Sequence, residues 1–308
     1  MEDLRCAPWT REQRVDPVGS ATRFDALLLV EWPPPWPRDI AEIPELSDAA
    51  ADPRAAVLAV VPRSTDTGSA LVRVVHRRRV ASHRFAGVGH LVPRGGVRAL
   101  LATLIDDVQA DHLDLPSAVG VSPPDVLVCG HGRRDRCCGR WGTLLQVELM
   151  AGLPDARVWR SSHTGGHRFA PTAITATDGR AWAFADTDLI AGVLRRSVPV
   201  AALAGHYRGT ASVPAWVQPV EQALLVEYGW AWADCEITAA RAEVAADHRR
   251  ATVHLSWRDP GGAGFEASAE VIVAREIPVL VCGEPPEAAE KSSLEFHVQH
   301  LTVVPAGT

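Results

Sequence analysis

One stretch decides the fold of this chain: Val126-Leu127-Val128-Cys129-Gly130-His131-Gly132-Arg133-Arg134-Asp135-Arg136-Cys137-Cys138-Gly139. Its first four residues form an apolar run typical of a buried strand, and they put a cysteine at the strand's carboxyl end, where α/β folds build their sites. Residues 139–151 then predict a helix, and residues 157–159 predict a second strand. The segment is therefore expected to form a β-α-β unit with parallel strands.

The pattern extends on both sides of this unit. Downstream, residues 174–177 and 181–185 predict a hairpin around Asp178-Gly179, and residues 187–195 predict a helix. A β-α-β half followed by a β-β-α half is the thioredoxin-like order. Upstream, the same order is predicted without a convincing repeat of the residues themselves. Its elements are expected at residues 26–31, 39–50, 55–61, 71–75, 80–86 and 94–111.

Residues beyond 210 predict a small α+β appendage. A helix is expected over residues 213–228, followed by four alternating strands. These strands are expected near residues 236–245, 251–257, 267–274 and 294–304. The predicted fold class is therefore α/β (α+β). Its predicted domains are an N-terminal α/β domain (1–118), a thioredoxin-like domain (119–210) and the C-terminal appendage (211–308).

The composition excludes several classes of protein. With 308 residues, 47% of them hydrophobic and 22% charged, the chain can bury a core and does not resemble a disordered protein. A net charge of −6 offers no basic field to attract nucleic acid. No apolar run approaches the length of a membrane span, and the N-terminus lacks the layout of a secretion signal. We therefore expect a cytoplasmic protein with neither nucleic acid nor a membrane as its partner.

Two motifs together form a candidate set of four metal ligands. Eight residues separate Cys129 from Cys138, and His163 and His167 flank Thr164-Gly165-Gly166 further along the chain. Thiolates suit zinc and iron–sulfur clusters, while neutral imidazole suits zinc and iron. The types of ligand are therefore compatible with either a zinc ion or an iron–sulfur cluster. The cysteines lie further apart than in most structural zinc sites, and such a loop can surround a larger group. A Rieske centre is excluded because no second cysteine–histidine pair follows.

The segments 129–139 and 162–171 resemble the sucrase/ferredoxin-like family, whose thioredoxin-like ferredoxin domain carries C-x8-C followed by H-x-G-G-H. Weaker similarities extend this resemblance over roughly the first 220 residues. The resemblance implies a [2Fe–2S] cluster with Cys129 and Cys138 on one iron and His163 and His167 on the other. It implies a soluble redox protein that transfers electrons to or from an unidentified redox partner, and not a sugar hydrolase.

The implied ligand set has consequences for the redox chemistry. A neutral imidazole in place of a thiolate removes negative charge, so the midpoint potential should lie well above the roughly −400 mV of plant-type ferredoxins. Each coordinated imidazole keeps a titratable N–H, so the potential is expected to fall as the pH rises. Cys137 stands where the family often has Arg, and its thiol could take the place of Cys138 as a ligand.

Two other functions remain open. One is a structural Cys2His2 zinc module that acts as a binding protein and has no visible colour. The other is a thiol oxidoreductase with Cys137 and Cys138 as its redox pair. This reading ranks last, because thioredoxin-like enzymes normally use C-x-x-C and a vicinal disulfide is strained. The motifs do not predict whether the chain converts a substrate.

The other cysteines and the nearby histidine are given no ligand role. His131 and Cys137 are interpreted as neighbours of the metal. Cys6, Cys235 and Cys282 lack the spacing of metal ligands, so they are expected to be buried or inert thiols.

The loop between the two cysteines is rich in arginine. Arg133, Arg134, Arg136 and Arg140 could form a basic rim that docks an acidic electron partner, or the loop could hold its own shape through Asp135. Both interpretations remain open on the sequence alone.

Overall fold

The computed structural model describes residues 4–63, 71–106, 118–121 and 124–307. Its strands form one ten-stranded sheet and one four-stranded sheet, with helices packed against them. None of the helices among these residues is long and apolar enough to cross a membrane. The mixture of helices and strands confirms the predicted α+β class.

A first unit lies upstream of residue 107, after helix α1 (Cys6–Glu12), which the sequence pattern does not predict. Strand β1 is central in this unit, parallel to β2 and antiparallel to β3, which in turn pairs with β4. Its apolar run is buried on both faces, as expected of a strand covered on two sides. The elements are β1 (Ala26–Glu31), α2 (Ser47–Ala51), β2 (Ala55–Val60), β3 (Leu71–Ala81), β4 (Arg84–Pro93) and α3 (Val97–Asp106).

Two boundaries in the first unit differ from the prediction. The residues Val80 and Ala81 continue β3, and β4 begins only at Arg84, because the chain turns at Ser82-His83. Helix α3 begins after a short 3-10 turn at residues 94–96. The last part of the predicted helix, residues 107–111, lies outside the described residues.

The second unit repeats the arrangement of the first. Strand β6 is parallel to β7 and antiparallel to β8, which pairs with β9, so the predicted order of elements is confirmed. Two edge strands extend the sheet, because β5 pairs with β4 and β10 pairs with β9. In chain order, the elements are β5 (Ala118–Val121), β6 (Asp125–Cys129), α4 (Thr143–Gly152), β7 (Arg157–Ser161), β8 (Ala173–Thr175), β9 (Arg180–Trp182), α5 (Thr187–Leu194) and β10 (Tyr207–Thr210).

The two units meet where their parallel strands end. Val60 at the end of β2 pairs with Ser161 at the end of β7. Ser162 extends this contact, since its backbone N–H donates to the Ala59 carbonyl at 2.7 Å and its Oγ accepts from the Ala59 N–H at 3.0 Å. The carboxyl ends of β1, β2, β6 and β7 therefore converge on one region. The division into domains at residue 118 stays a prediction.

A buried ion-pair network fastens the same two units together. Asp125 at the start of β6 is fully buried and accepts from Arg77 of β3 at 2.7 Å. It also accepts from Arg157 at 2.5 Å and from the Trp159 indole at 2.7 Å. Because a buried carboxylate is tolerated only when it is paired and hydrogen-bonded, these partners are required for the junction to form.

The C-terminal segment adds a helix and an antiparallel sheet to this framework. Helix α6 begins at Gln218, later than predicted, after a turn that contains Pro214. The strands pair in the order β11-β12-β13-β14. Buried Glu221 of α6 accepts from Tyr207 of β10 at 2.6 Å and from the Trp232 indole at 2.8 Å, which ties this segment to the large sheet. The elements are α6 (Gln218–Tyr228), β11 (Glu236–Val244), β12 (Arg250–Arg258), β13 (Gly264–Pro278) and β14 (Ser292–Pro305).

Candidate metal centre

Cys129 and Cys138 are brought together by the close packing of the loop between them. Cys129 ends β6, and Cys138 opens a π-helical turn that leads into α4. Gly142 in this turn packs against the Cys129 carbonyl, so closely that a side chain there would overlap it. Gly139 packs against Gly132 across the loop, where an added Cβ would lie 2.5 Å from the Gly132 Cα. Glycine is therefore needed at both positions to hold the loop closed.

Three of the four predicted ligands form one group. The donor atoms of Cys129, Cys138 and His163 all lie within 4.8 Å of one another, and Cys129 Sγ is 3.7 Å from His163 Nδ1. Both cysteines are fully buried, whereas His163 is half-buried. The Cys138 thiol donates to the Cys129 sulfur and thereby lowers the pKa of Cys129 well below its usual range. The same hydrogen bond raises the pKa of Cys138, so Cys129 is the thiol that ionises first.

His167 lies beside this group but outside its 4.8 Å spacing. Its ring centroid is 5.9 Å from that of His163, and its Nε2 is 2.8 Å from the Leu280 carbonyl oxygen. Burial lowers the pKa of His167, which favours the neutral imidazole that metals bind. With Nε2 directed at a carbonyl, Nδ1 is the nitrogen left for a metal, which is the usual arrangement of a ligating histidine.

The turn between the two histidines depends on Gly165 and Gly166, which have φ values of +80° and +67°. Arg208 of β10 supports this turn from one side. Its guanidinium donates to the Gly165 carbonyl at 3.2 Å and to the Ser20 carbonyl at 2.6 Å. A Cβ on Gly166 would lie 2.6 Å from this guanidinium, so the sequence His-x-Gly-Gly-His fits the space that Arg208 leaves. The sequence pattern does not single out Arg208 for this role.

His131 lies on the other side of the loop and contacts the first unit. Its Nε2 is 2.9 Å from the Pro37 carbonyl oxygen, and its ring lies edge-on to Trp36 with centroids 5.6 Å apart. The Trp-Pro segment after β1 thus packs against the loop that carries the cysteines. Since His131 does not belong to the group of donor atoms, the structure places it as a neighbour of the candidate ligands.

Cys6 and Cys282 are buried, as expected. Together with Asp135 and Cys137 they form a second group, not predicted from the sequence, whose donor atoms lie within 4.8 Å of one another. Sequence spacing misses this group because its members come from three distant segments. The structure places Cys138, and not Cys137, beside Cys129, since Cys137 Sγ lies 3.2 Å from Cys282 Sγ. Cys235 is partly exposed and belongs to neither group.

Two openings reach the surface near the first group. A cavity of about 280 Å³ lies between the two units and is lined by His163, Arg38 and Arg134, among others. A groove of about 550 Å³ runs along the loop between Cys129 and Cys138, which we call the ligand loop. Five arginines line this groove, namely Arg5, Arg133, Arg136, Arg140 and Arg160. The exposed face of the loop is therefore strongly basic, although the whole chain carries a net charge of −6.

Comparison with known proteins adds one finding. A family model described as sucrase/ferredoxin-like matches residues 17–209, which is more than half of the 308-residue chain. The matched range includes Cys129, Cys138, His163 and His167, and it excludes Cys6 and Cys282. No curated protein and no solved structure matches this chain.

Proposed function

The chain belongs to the sucrase/ferredoxin-like family, and from this we propose that it transfers single electrons through a [2Fe–2S] cluster bound by Cys129, Cys138, His163 and His167. The observation that carries the proposal is the convergence of buried cysteines with His163, while His167 stands just beyond them. The ligands of a single metal ion all lie close to one another. The four ligands of a two-iron cluster lie in two pairs, one on each iron, so the greater distance of His167 from the other three favours a cluster.

The donor set fits such a cluster in chemical type. Cys129 already loses its proton readily because Cys138 donates to it, and thiolates are the ligands of iron–sulfur clusters. His167 is kept neutral by burial, with Nε2 directed at the Leu280 carbonyl. When bound, the cluster would accept and release one electron at a potential raised by its two neutral ligands.

The two histidines are the candidate ligands nearer the solvent. Both are half-buried, and His163 lines the cavity between the two units, whereas both cysteines are fully buried. Electron exchange with a partner would therefore take place on the histidine side of the cluster.

The arginines of the groove favour an acidic redox protein as the partner. Arg133 and Arg140 are exposed, and neither has an ion pair among the described residues. Such a surface accelerates association with a negatively charged partner, and the acceleration weakens as salt screens the charges. Replacing Arg133 and Arg140 with Ser should slow reduction by an acidic donor at low salt and leave the cluster intact. The cytoplasmic location remains an expectation from the sequence.

The test is the visible absorption spectrum of protein purified under nitrogen, with iron, zinc and acid-labile sulfide measured on the same sample. We expect a red-brown protein with two irons and two sulfides per chain. His163→Cys and His167→Cys should keep the colour but lower the midpoint potential and remove much of its pH dependence. His297→Cys, on an exposed position of β14, is the matched control and should change neither property.

A structural zinc module is the second candidate, and one distance favours it. The 3.7 Å between Cys129 Sγ and His163 Nδ1 is close to the separation of about 3.6 Å expected for a sulfur and a nitrogen on one tetrahedral zinc. A colourless protein that carries zinc at this group, lost in Cys129→Ser, would replace the electron-transfer proposal with this one.

A further inference from the structure

The second group of buried donor atoms lies immediately beside the first. Cys6 comes from α1, Asp135 and Cys137 from the ligand loop, and Cys282 from the connection between β13 and β14. We propose that Cys6, Asp135, Cys137 and Cys282 bind one Zn²⁺ ion, in a closed structural site that is separate from the iron–sulfur site. This site goes beyond the proposed electron transfer and does not depend on it.

The distances within the group suit a single ion. Cys282 Sγ lies 3.2 Å from Cys137 Sγ and 3.5 Å from Cys6 Sγ. The nearer Asp135 oxygen, Oδ1, is 3.4 Å from Cys6 Sγ and 3.3 Å from Cys282 Sγ. A tetrahedral zinc with ordinary bond lengths separates two sulfurs by about 3.8 Å, and a sulfur from an oxygen by about 3.5 Å. Movements of a few tenths of an ångström would therefore admit the ion, whereas a cluster of several irons would not fit.

The charge of the group calls for a cation. Asp135 is only 4% exposed, and in the described part of the chain it has no ion pair with Arg or Lys. Buried carboxylates without such partners are costly unless they coordinate a metal. A divalent cation would supply the missing charge.

The backbone around the group already favours anionic ligands. The Cys137 N–H donates to Asp135 Oδ1 at 2.8 Å, and the Cys282 N–H donates to Oδ2 at 3.3 Å. The Cys6 N–H donates to Cys282 Sγ at 3.5 Å. Outer hydrogen bonds of this kind orient and stabilise the ligands of metal sites.

A disulfide explains the same cluster less well. Oxidation of Cys137 and Cys282 would use two of the three thiols, and it would leave the Asp135 carboxylate hydrogen-bonded but without a cation. A zinc ion uses all four side chains at once. Three thiolates and one carboxylate supply the four ligands that a tetrahedral Zn²⁺ takes, and all four side chains are buried.

The ion would also fasten the region that holds His167. Leu280, whose carbonyl meets His167 Nε2, lies two residues before Cys282. Cys6 Sγ approaches the His167 carbonyl oxygen at 3.7 Å. Binding of zinc would therefore fix α1 and the β13–β14 connection against the turn between His163 and His167, which we call the histidine turn.

The test is the metal content of the full-length protein expressed with both iron and zinc supplied. We expect one zinc per chain in addition to any iron. Cys282→Ser and Asp135→Asn should lose the zinc, from one ion per chain to none, while the iron content and visible absorption remain. Cys235→Ser, which alters a cysteine outside both groups, should retain both metals. Reconstitution with Co²⁺ should give thiolate-to-cobalt charge-transfer absorption that Cys282→Ser abolishes.

Three results would overturn the site. They are wild-type protein that carries iron but no zinc or cobalt, zinc that survives in a folded Cys282→Ser protein, and a mass loss of two hydrogens that maps to a Cys137–Cys282 disulfide. Circular dichroism on each variant separates loss of metal from loss of fold. Zinc lost in Cys282→Ser from a protein without iron would support this site and contradict the electron-transfer proposal, so the two fail independently.

Discussion

Replacing Gly139 with alanine tests how tightly the ligand loop is closed. Gly139 directly follows Cys138, and its backbone packs against Gly132 across the loop. An added Cβ would lie 2.5 Å from the Gly132 Cα and 3.2 Å from its nitrogen, whereas Cβ atoms essentially never approach other atoms within 3.0 Å. Both neighbours are backbone atoms, so no side chain can rotate away. The two segments must separate by at least about 0.5 Å.

This separation exceeds what a metal site tolerates. Ligand distances must stay within about 0.2 Å of their ideal values, and the shift occurs one residue from Cys138. Overpacking of a tight backbone contact also costs about 1 to 3 kcal/mol, which corresponds to a fall in Tm of about 2 to 5 °C for a protein of 308 residues. We expect Gly139→Ala to purify with less than half of the wild-type iron and to unfold at a lower temperature, as measured by metal analysis and circular dichroism.

Gly132→Ala is the matched control, because it adds the same methyl group to the other side of the same contact. Its Cβ would lie 3.4 Å from the Gly139 Cα, an ordinary contact distance. Iron content and Tm should therefore stay near the wild-type values. The explanation is refuted if Gly139→Ala keeps its iron and its Tm, or if both variants lose them equally.

Three further changes probe the histidine turn and the junction of the two units. Gly166→Ala should lose iron because its Cβ would lie 2.6 Å from the Arg208 guanidinium, whereas Gly262→Ala, with an equally positive φ but open space, should lose only the roughly 1 to 2 kcal/mol of backbone strain in urea denaturation. Arg77→Met should lower the free energy of unfolding by about 1.5 to 3 kcal/mol, because buried Asp125 loses one charged donor and keeps Arg157; a loss below about 1 kcal/mol would contradict this. Burial lowers the pKa of His76 from 6.5 to about 4, so this histidine binds a proton less readily in the folded protein than in the unfolded chain. The free energy of unfolding should therefore fall as the pH drops from 6.5 to 4, by about 3 kcal/mol at pH 4. His76→Gln should remove that loss, and urea denaturation at pH 7 and pH 4 would contradict the reasoning if both proteins lost equal stability.

Much of the fold was predictable because local sequence patterns determine its strands, helices and turns. The apolar run before Cys129 forms β6, and Asp178-Gly179 forms the turn between β8 and β9. Hydrophobic periodicity fixes such elements within a few residues. The β3–β4 turn was misplaced because Val80 and Ala81 continue the apolar pattern up to Ser82, and pattern alone does not mark where a hairpin reverses.

The candidate ligands were predictable for a different reason. Cys129, Cys138, His163 and His167 lie in two short motifs, so their chemistry is visible in sequence spacing. Cys6 and Cys282 lie 276 residues apart, and only the tertiary fold shows that they meet. The same holds for Arg208, whose role in supporting the histidine turn depends on how β10 joins the sheet.

The long stretch of sequence between Cys138 and the Leu280–Cys282 segment has a consequence for the timing of assembly. Cys282 follows Cys138 by 144 residues, which a ribosome adds in about 7 to 30 s at ordinary rates of synthesis. During that interval the cysteine loop and the histidine turn already exist, but the carbonyl that orients His167 does not. Delivery of metal during translation would therefore meet an open, accessible ligand loop, and the later synthesis of the Leu280–Cys282 segment would complete it.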